Sequence, residues 1–292
     1  MSNSIIPVVD FSAYCIQRNK PDEERFQKLI EDVRAALSTI GFAYLINTGL
    51  SENKVFIGDE ITMDQSDLYY RLNPTRPKDL KESLDFIPAT RDQLKKTCDI
   101  ITPGFIDSVC DLYDELKQIN FRVLEVFGHA LKLKDPMFFV KAHSRMGEND
   151  NHSTFRTLYY PPSTDVVQKE GQIRCGEHSD YGGVTLLLQD ETGGLEVKGL
   201  DGKFHAATPM PGSIVINIGD MLQRWTADQL VSTVHRVVVP KGTRTNNSRQ
   251  SMAFFGHPNS NQDIVCIDGS NKYPPTNSDT YMESKYSKSF DK

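Results

Sequence analysis

His178, Asp180 and His235 are the residues of this chain best suited to metal chemistry. Two imidazoles and one carboxylate make the ligand set of a facial triad, which holds Fe(II) through one face and leaves the other open to substrates and O2. Downstream, Arg249-Gln250-Ser251 sets a fixed cation beside a hydroxyl, a pair suited to gripping a carboxylate. A metal triad joined to a carboxylate clamp points to an oxygenase with a 2-oxo acid as co-substrate.

Each residue also has a plainer use. His178 and Asp180 could cap a turn before Gly182-Gly183, and a lone His235 is more often a hydrogen-bonded core histidine. Arg249 with Ser251 could lie on an exposed strand face, and Tyr160 before Pro161-Pro162 could close a turn. The order H-x-D, His, R-x-S on successive strands is hard to obtain by accident. His129, His143, His152, His205 and His257 lack such company and are assigned structural roles.

Positioning these groups requires strands. From about residue 153 the chain becomes short β runs punctuated by Gly, Pro and Asn, at 154–160, 172–177, 184–190, 194–198, 204–207, 213–218, 231–239 and 249–256. Residues two apart on a strand share a face. That places Arg249 with Ser251, Arg156 with Tyr160, and His235 in a row with Val231, Thr233, Val237 and Val239. Eight such strands suggest a double-sheet jelly roll whose mouth can hold a metal. The first half reads differently. Apolar residues at helical spacing predict helices over 22–40 and 104–133, with GFAYLINTG as a strand between them; 52–100 resists assignment. The fold class is therefore α+β: a helical region over 1–150 packs on a jelly-roll core over 151–292 and is not independent of it.

Composition narrows the partners. A net charge of −6 leaves no basic stripe for nucleic acid. Five cysteines without a C-x-x-C pair suit a reducing compartment. No apolar run reaches membrane-spanning length and the amino terminus lacks signal-peptide character, so the expectation is a cytoplasmic protein with a small-molecule substrate, no nucleic-acid or membrane partner, and a monomeric state.

The motifs IPVVDF, LYYPP (158–162), GEHSDYGGVTLLLQDETGGLEV (176–197), PGSIVINIGDMLQRWT (211–226), STVHRVVVP (232–240) and RQSMAFF (249–255) occur in the order in which they mark one family. The chain resembles the isopenicillin N synthase-like group of 2-oxoglutarate/Fe(II)-dependent dioxygenases, over most of its length. KYPPTNSDTYMESKY resembles that group's closing helix. The resemblance implies a double-stranded β-helix in which His178, Asp180 and His235 ligate Fe(II). The far carboxylate of 2-oxoglutarate would be held by Arg249, Ser251 and Tyr160. Oxidative decarboxylation to succinate and CO2 would drive hydroxylation or desaturation of a small molecule, with O2 as co-substrate and ascorbate as a candidate reductant. Arg156 and Phe255 are the candidate substrate contacts, with Trp225 and Tyr281 as further candidate pocket walls.

In one respect the chain departs from the group: a few dozen residues are missing near 58–68, where relatives carry a helix that backs one sheet. Two other readings therefore stand beside the first. One is an iron oxidase of the same fold that does not use 2-oxoglutarate. The other is a shortened, catalytically impaired form that acts as a binding protein. A zinc hydrolase is more distant, because no general base stands near the triad in sequence.

Overall fold

The computed structural model describes residues 4–51, 79–101, 103–162, 172–240 and 247–290. The first half supplies β1 (Val8–Asp10), α1 (Glu23–Leu37), β2 (Phe42–Ile46), β3 (Glu82–Phe86), α2 (Arg91–Ile101), α3 (Phe105–Ala130) and α4 (Phe138–Ala142). The Asp22 side chain accepts from Arg25 N at the start of α1, and Glu23 and Glu24 suit the positive end of its dipole. Past Ser38 the chain turns at Gly41, whose φ of +66° suits glycine, and enters β2. Strand β3 and helix α2 lie in the stretch that sequence reasoning could not assign. The expected shortening near 58–68 lies outside the described residues.

The second half supplies β4 (Thr154–Tyr160), β5 (Cys175–His178), β6 (Val184–Gln189), β7 (Leu195–Lys198), β8 (Phe204–Ala206), β9 (Ile214–Ile218), α5 (Asp220–Trp225), β10 (His235–Val237), β11 (Arg249–Gly256), the short pair β12 (Asp263–Ile264) and β13 (Thr276–Asn277), and α6 (Ser278–Phe290). Among the described residues these build a larger sheet ordered β1-β2-β9-β6-β11-β4-β3 and a smaller one ordered β5-β10-β7-β8. This is a double-stranded β-helix flanked by helices.

Alternation along the strands divides the interior in two. Phe155, Leu186, Leu188, Ile214, Ile216, Ile218 and Phe254 face the helices and share a core with Leu29, Val33 and the buried stripe of α3. On the opposite face Phe42, Tyr44, Tyr160 and Val215 meet Cys175, Leu195, Val197 and Val237 of the smaller sheet. The helices therefore stiffen the larger sheet from behind and leave its other face to the site.

One strand is shorter than its pattern predicts. The run 231–239 forms a ladder only over His235–Val237. Ahead of it, Val231 N donates to Leu37 O, Ser232 N to Gln223 Oε1 and Thr233 Oγ1 to Ile40 O. Those backbone and hydroxyl bonds go to α1, α5 and the turn before β2, so the alternating apolar residues there do not share a sheet face. Strand β5 likewise begins at Cys175 rather than 172 and runs through His178.

Candidate active site

His178 ends β5 and His235 begins β10, and the two residues are direct partners across the antiparallel ladder. Their ring centroids lie 4.2 Å apart. Asp180 follows β5 by two residues, and its Oδ1 sits 3.8 Å from Nε2 of each histidine. One ligand atom from each of the three residues falls within 4.8 Å of the others; among the described residues this is the one such group.

The surroundings aim these atoms. His178 Nδ1 is 2.7 Å from Gly176 O and His235 Nδ1 is 3.1 Å from Thr233 O. Each carbonyl can only accept, so each Nδ1 carries a proton and each Nε2 is the atom aimed at the common centre. Phe42 packs edge-on against His235 with centroids 5.3 Å apart. The second oxygen of Asp180 accepts from Thr185 Oγ1 at 2.6 Å and Asn217 Nδ2 at 2.7 Å, which leaves Oδ1 for the centre.

The loop carrying Asp180 is bolted to α5. The carbonyls of Asp180, Tyr181, Gly182 and Gly183 accept from the backbone N–H groups of Asp220, Met221, Leu222 and Gly219, respectively. First-turn N–H groups of a helix have no partner within it, so the loop satisfies α5 while α5 fixes the loop.

Electrostatics favour a cation. Burial pushes the Asp180 carboxyl up, but the facing His235 and His178 and the bonds from Asn217 and Thr185 outweigh it, and its pKa ends below the usual carboxylate value. Burial, and then the positive charge of His178, hold His235 down to about 4, in the neutral form a metal needs. Burial also works against charge on His178, yet the neighbouring Cys175 and Asp180 raise it to about 9, so a cation binding at its Nε2 would displace a proton from that atom. Lys81 Nζ lies 3.2 Å from Cys175 Sγ and 3.2 Å from Asp79. The donor set, its spacing and the outward-bonded Nδ1 atoms all suit Fe(II).

Across the interior, β11 and β4 pair with Arg249 opposite Tyr160, Ser251 opposite Leu158 and Ala253 opposite Arg156. Cross-strand partners share a face, so Arg249, Ser251, Tyr160, Arg156 and Phe255 all lie on the sheet face turned to the smaller sheet. Arg249 is buried. Its Nη1 donates to Ser251 Oγ at 3.0 Å, Nη2 reaches Gln189 Oε1 at 3.4 Å, and its guanidinium lies 4.8 Å from the Tyr160 ring centroid. Its Nε has no partner.

Arg156 has an internal counter-ion. Its Nε and Nη2 donate to the two oxygens of Asp85 at 2.5 and 2.7 Å, and it lies 5.6 Å from the Phe255 ring centroid. Trp225 belongs to the core, packed by Phe138 and Phe139. Tyr281, on α6, lies against Arg224 of α5 and Lys285 of its own helix. The other histidines are held elsewhere: His129 against Phe26, His152 by Asp279, His205 by Asp201, and His143 and His257 buried behind the loop that carries Asp180.

Sequence reasoning passed over Thr185, Asn217, Asp85, Lys81 and Arg174. Asn217 left a signal, since it is the polar residue within the otherwise apolar Ile214–Ile218. The others appear as ordinary polar positions until the sheets close.

Residues 151–258 match the family model of the 2OG-Fe(II) oxygenase superfamily. A proline hydroxylase, buaE, of Petromyces alliaceus is 28% identical over 80% of this chain and 82% of its own length. The 2-oxoglutarate-dependent dioxygenase htyE of Aspergillus rugulosus is 37% identical over 53% of this chain, a match that spans about half, 48%, of that relative. Among solved structures, a full-length Neurospora crassa protein in complex with alpha-KG and 5-formyluracil superposes with a TM-score of 0.78 at 29% identity, covering 96% of this chain and 95% of that one.

Proposed function

We propose that the chain, whose residues 151–258 match the 2OG-Fe(II) oxygenase superfamily, is a dioxygenase that hydroxylates or desaturates a small organic molecule, consuming 2-oxoglutarate and O2. One observation carries the reading: a compact His-Asp-His group and a buried guanidinium occupy opposite walls of one interior. In this reading His178, Asp180 and His235 hold Fe(II), which when bound couples oxidative decarboxylation of 2-oxoglutarate to O2 activation. Arg249, Ser251 and Tyr160 receive the far carboxylate. A guanidinium matches a carboxylate with paired N–H donors, and the two hydroxyls can complete its hydrogen bonds. The carboxylate would also give the unpartnered Nε of Arg249 an acceptor.

Arg156 and Phe255 meet the substrate. The Arg156–Asp85 pair presents donors and an acceptor together, so a polar substrate without strong net charge fits better than a simple anion. Ascorbate serves as reductant, and the protein works as a cytoplasmic monomer whose helical first half and jelly roll fold together. No described helix is long and apolar enough to cross a membrane.

The test is an anaerobic titration of metal-free protein with Fe(II) and then 2-oxoglutarate, following the visible charge-transfer band of a chelated keto acid. The band should form in the parent protein and weaken in Arg249→Ala. Iron binding without a band would favour the oxidase that does not use 2-oxoglutarate. Failure to bind iron would favour the impaired form.

A further inference from the structure

Arg174, just ahead of β5, is as deeply buried as Arg249: each is 1% exposed. Its Nη2 donates to Asn247 O at 2.7 Å and to Pro161 O at 3.3 Å. Those carbonyls flank the carboxylate-binding residues, one residue after Tyr160 and two before Arg249, at the ends where β4 and β11 pair. Arg174 thereby ties the smaller sheet to the strand ends that carry the clamp. Its Nη1 has no partner, and neither does Nε of Arg249.

The charge arrangement is unusual. Among the described residues Arg174 bonds only backbone carbonyls and Arg249 only Ser251 and Gln189, none of them a carboxylate. Asp190, the acid that acts on Arg174 electrostatically, already accepts from the backbone N–H groups of Gln250 and Thr192. Arg174 bonds the chain one residue from Tyr160 and two from Arg249, and burial, then the charge on Arg249, lower its pKa, as expected of two buried cations that share a neighbourhood. Two like charges in a low-dielectric interior are costly unless an anion accompanies them.

We propose that Arg174 is a second cation of the 2-oxoglutarate pocket, which supplies attraction for the far carboxylate alongside Arg249 and makes the site selective for a dicarboxylate keto acid. The inference rests on the 2-oxoglutarate reading above and adds a specificity-determining residue to it. The unpartnered Nη1 and Nε supply the N–H donors, and the anion relieves the repulsion between the two guanidiniums. A keto acid without the far carboxylate gains nothing from Arg174, because its chelating end lies at the triad.

The experiment compares 2-oxoglutarate with 2-oxobutyrate, which keeps the chelating end and lacks the far carboxylate. Both are titrated anaerobically into Fe(II)-loaded protein by the charge-transfer band, and 2-oxoglutarate is also titrated into metal-free protein by calorimetry. In Arg174→Gln the dissociation constant for 2-oxoglutarate should rise about tenfold or more, while that for 2-oxobutyrate stays within about twofold. Arg174→Lys keeps the charge but loses the planar fork, so a smaller loss of about threefold is expected, again confined to 2-oxoglutarate; it decides the matter if the glutamine variant does not fold. Equal losses for both keto acids would make Arg174 a structural brace and overturn the proposal, as would unchanged 2-oxoglutarate affinity in the variants. If the parent binds Fe(II) but gives no band with 2-oxoglutarate, the 2-oxoglutarate reading itself fails and takes this one with it.

Discussion

His178 and His235 face each other as direct cross-strand partners on β5 and β10, their rings 4.2 Å apart. The histidines are far apart in the chain, and a single ladder contact in the smaller sheet converts them into neighbours. The third member, Asp180, comes from a loop, so its placement depends on what holds that loop.

Asn217 is one such support, since it donates to the oxygen of Asp180 that faces away from the histidines. Asn217→Ala should weaken Fe(II) binding about ten- to a hundredfold, the usual loss when the partner of a metal-binding carboxylate is removed. An anaerobic Fe(II) titration reads this directly. Affinity equal to the parent's would mean that Thr185 alone orients the carboxylate.

Gly219, just ahead of α5, lies hard against the Asp180 loop. A Cβ there would sit 2.4 Å from Gly182 O, a backbone atom with little room to move. Gly219→Ala should cost about 1–3 kcal/mol of stability from overpacking, measured by denaturant unfolding. It should also lower metal affinity, because relief of the clash moves the loop.

His143 and His257 make stability depend on acid. Burial lowers His143 from 6.5 to about 4 and, together with nearby histidines, His257 to about 3. Both are neutral in the fold, whereas the unfolded chain takes up protons below about 6.5, so it binds more protons than the native state. The contribution is therefore complete above about pH 6.5 and is lost as pH falls towards about 4. Within that window each histidine should cost about 1.4 kcal/mol per pH unit. Unfolding curves from about pH 7 to 4 should be less steep in pH for the double variant His143→Gln, His257→Gln than for the parent; parallel slopes would refute the assignment.

Helix α6 braces the same region from outside. Lys285 donates to Asp220 at 2.6 Å, and Tyr286 packs against Tyr181 with centroids 6.2 Å apart. Removal of residues from 278 onward should speed amide exchange at 181–183 and 219–222 more than in the β4–β11 ladder. Uniform change, or none, would separate α6 from the site.

Much of this was legible in the chain. The jelly-roll strands, the apolar faces of α1 and α3, and the candidate triad and clamp residues follow from alternation, helical spacing and the H-x-D, His, R-x-S order, because each is a local pattern. The length of β10 was not. Its alternation extends to Val231, but the backbone there bonds to Leu37 and Gln223, partners remote in sequence. Strand β3 was hidden because only its pairing with β4, which sets Asp85 against Arg156, makes Glu82–Phe86 a strand.

The sequence by itself determined which side chains could bind a metal and a carboxylate, and that Arg249 and Ser251 share a strand face, since residue type and period two are properties of the chain. Only the tertiary structure decided that Asp85 neutralises Arg156, that Asn217 and Thr185 aim Asp180, and that Arg174 stands buried beside Arg249. The reason is that charge pairing, hydrogen-bond direction and desolvation depend on distances between segments, which exist only once the two sheets have closed.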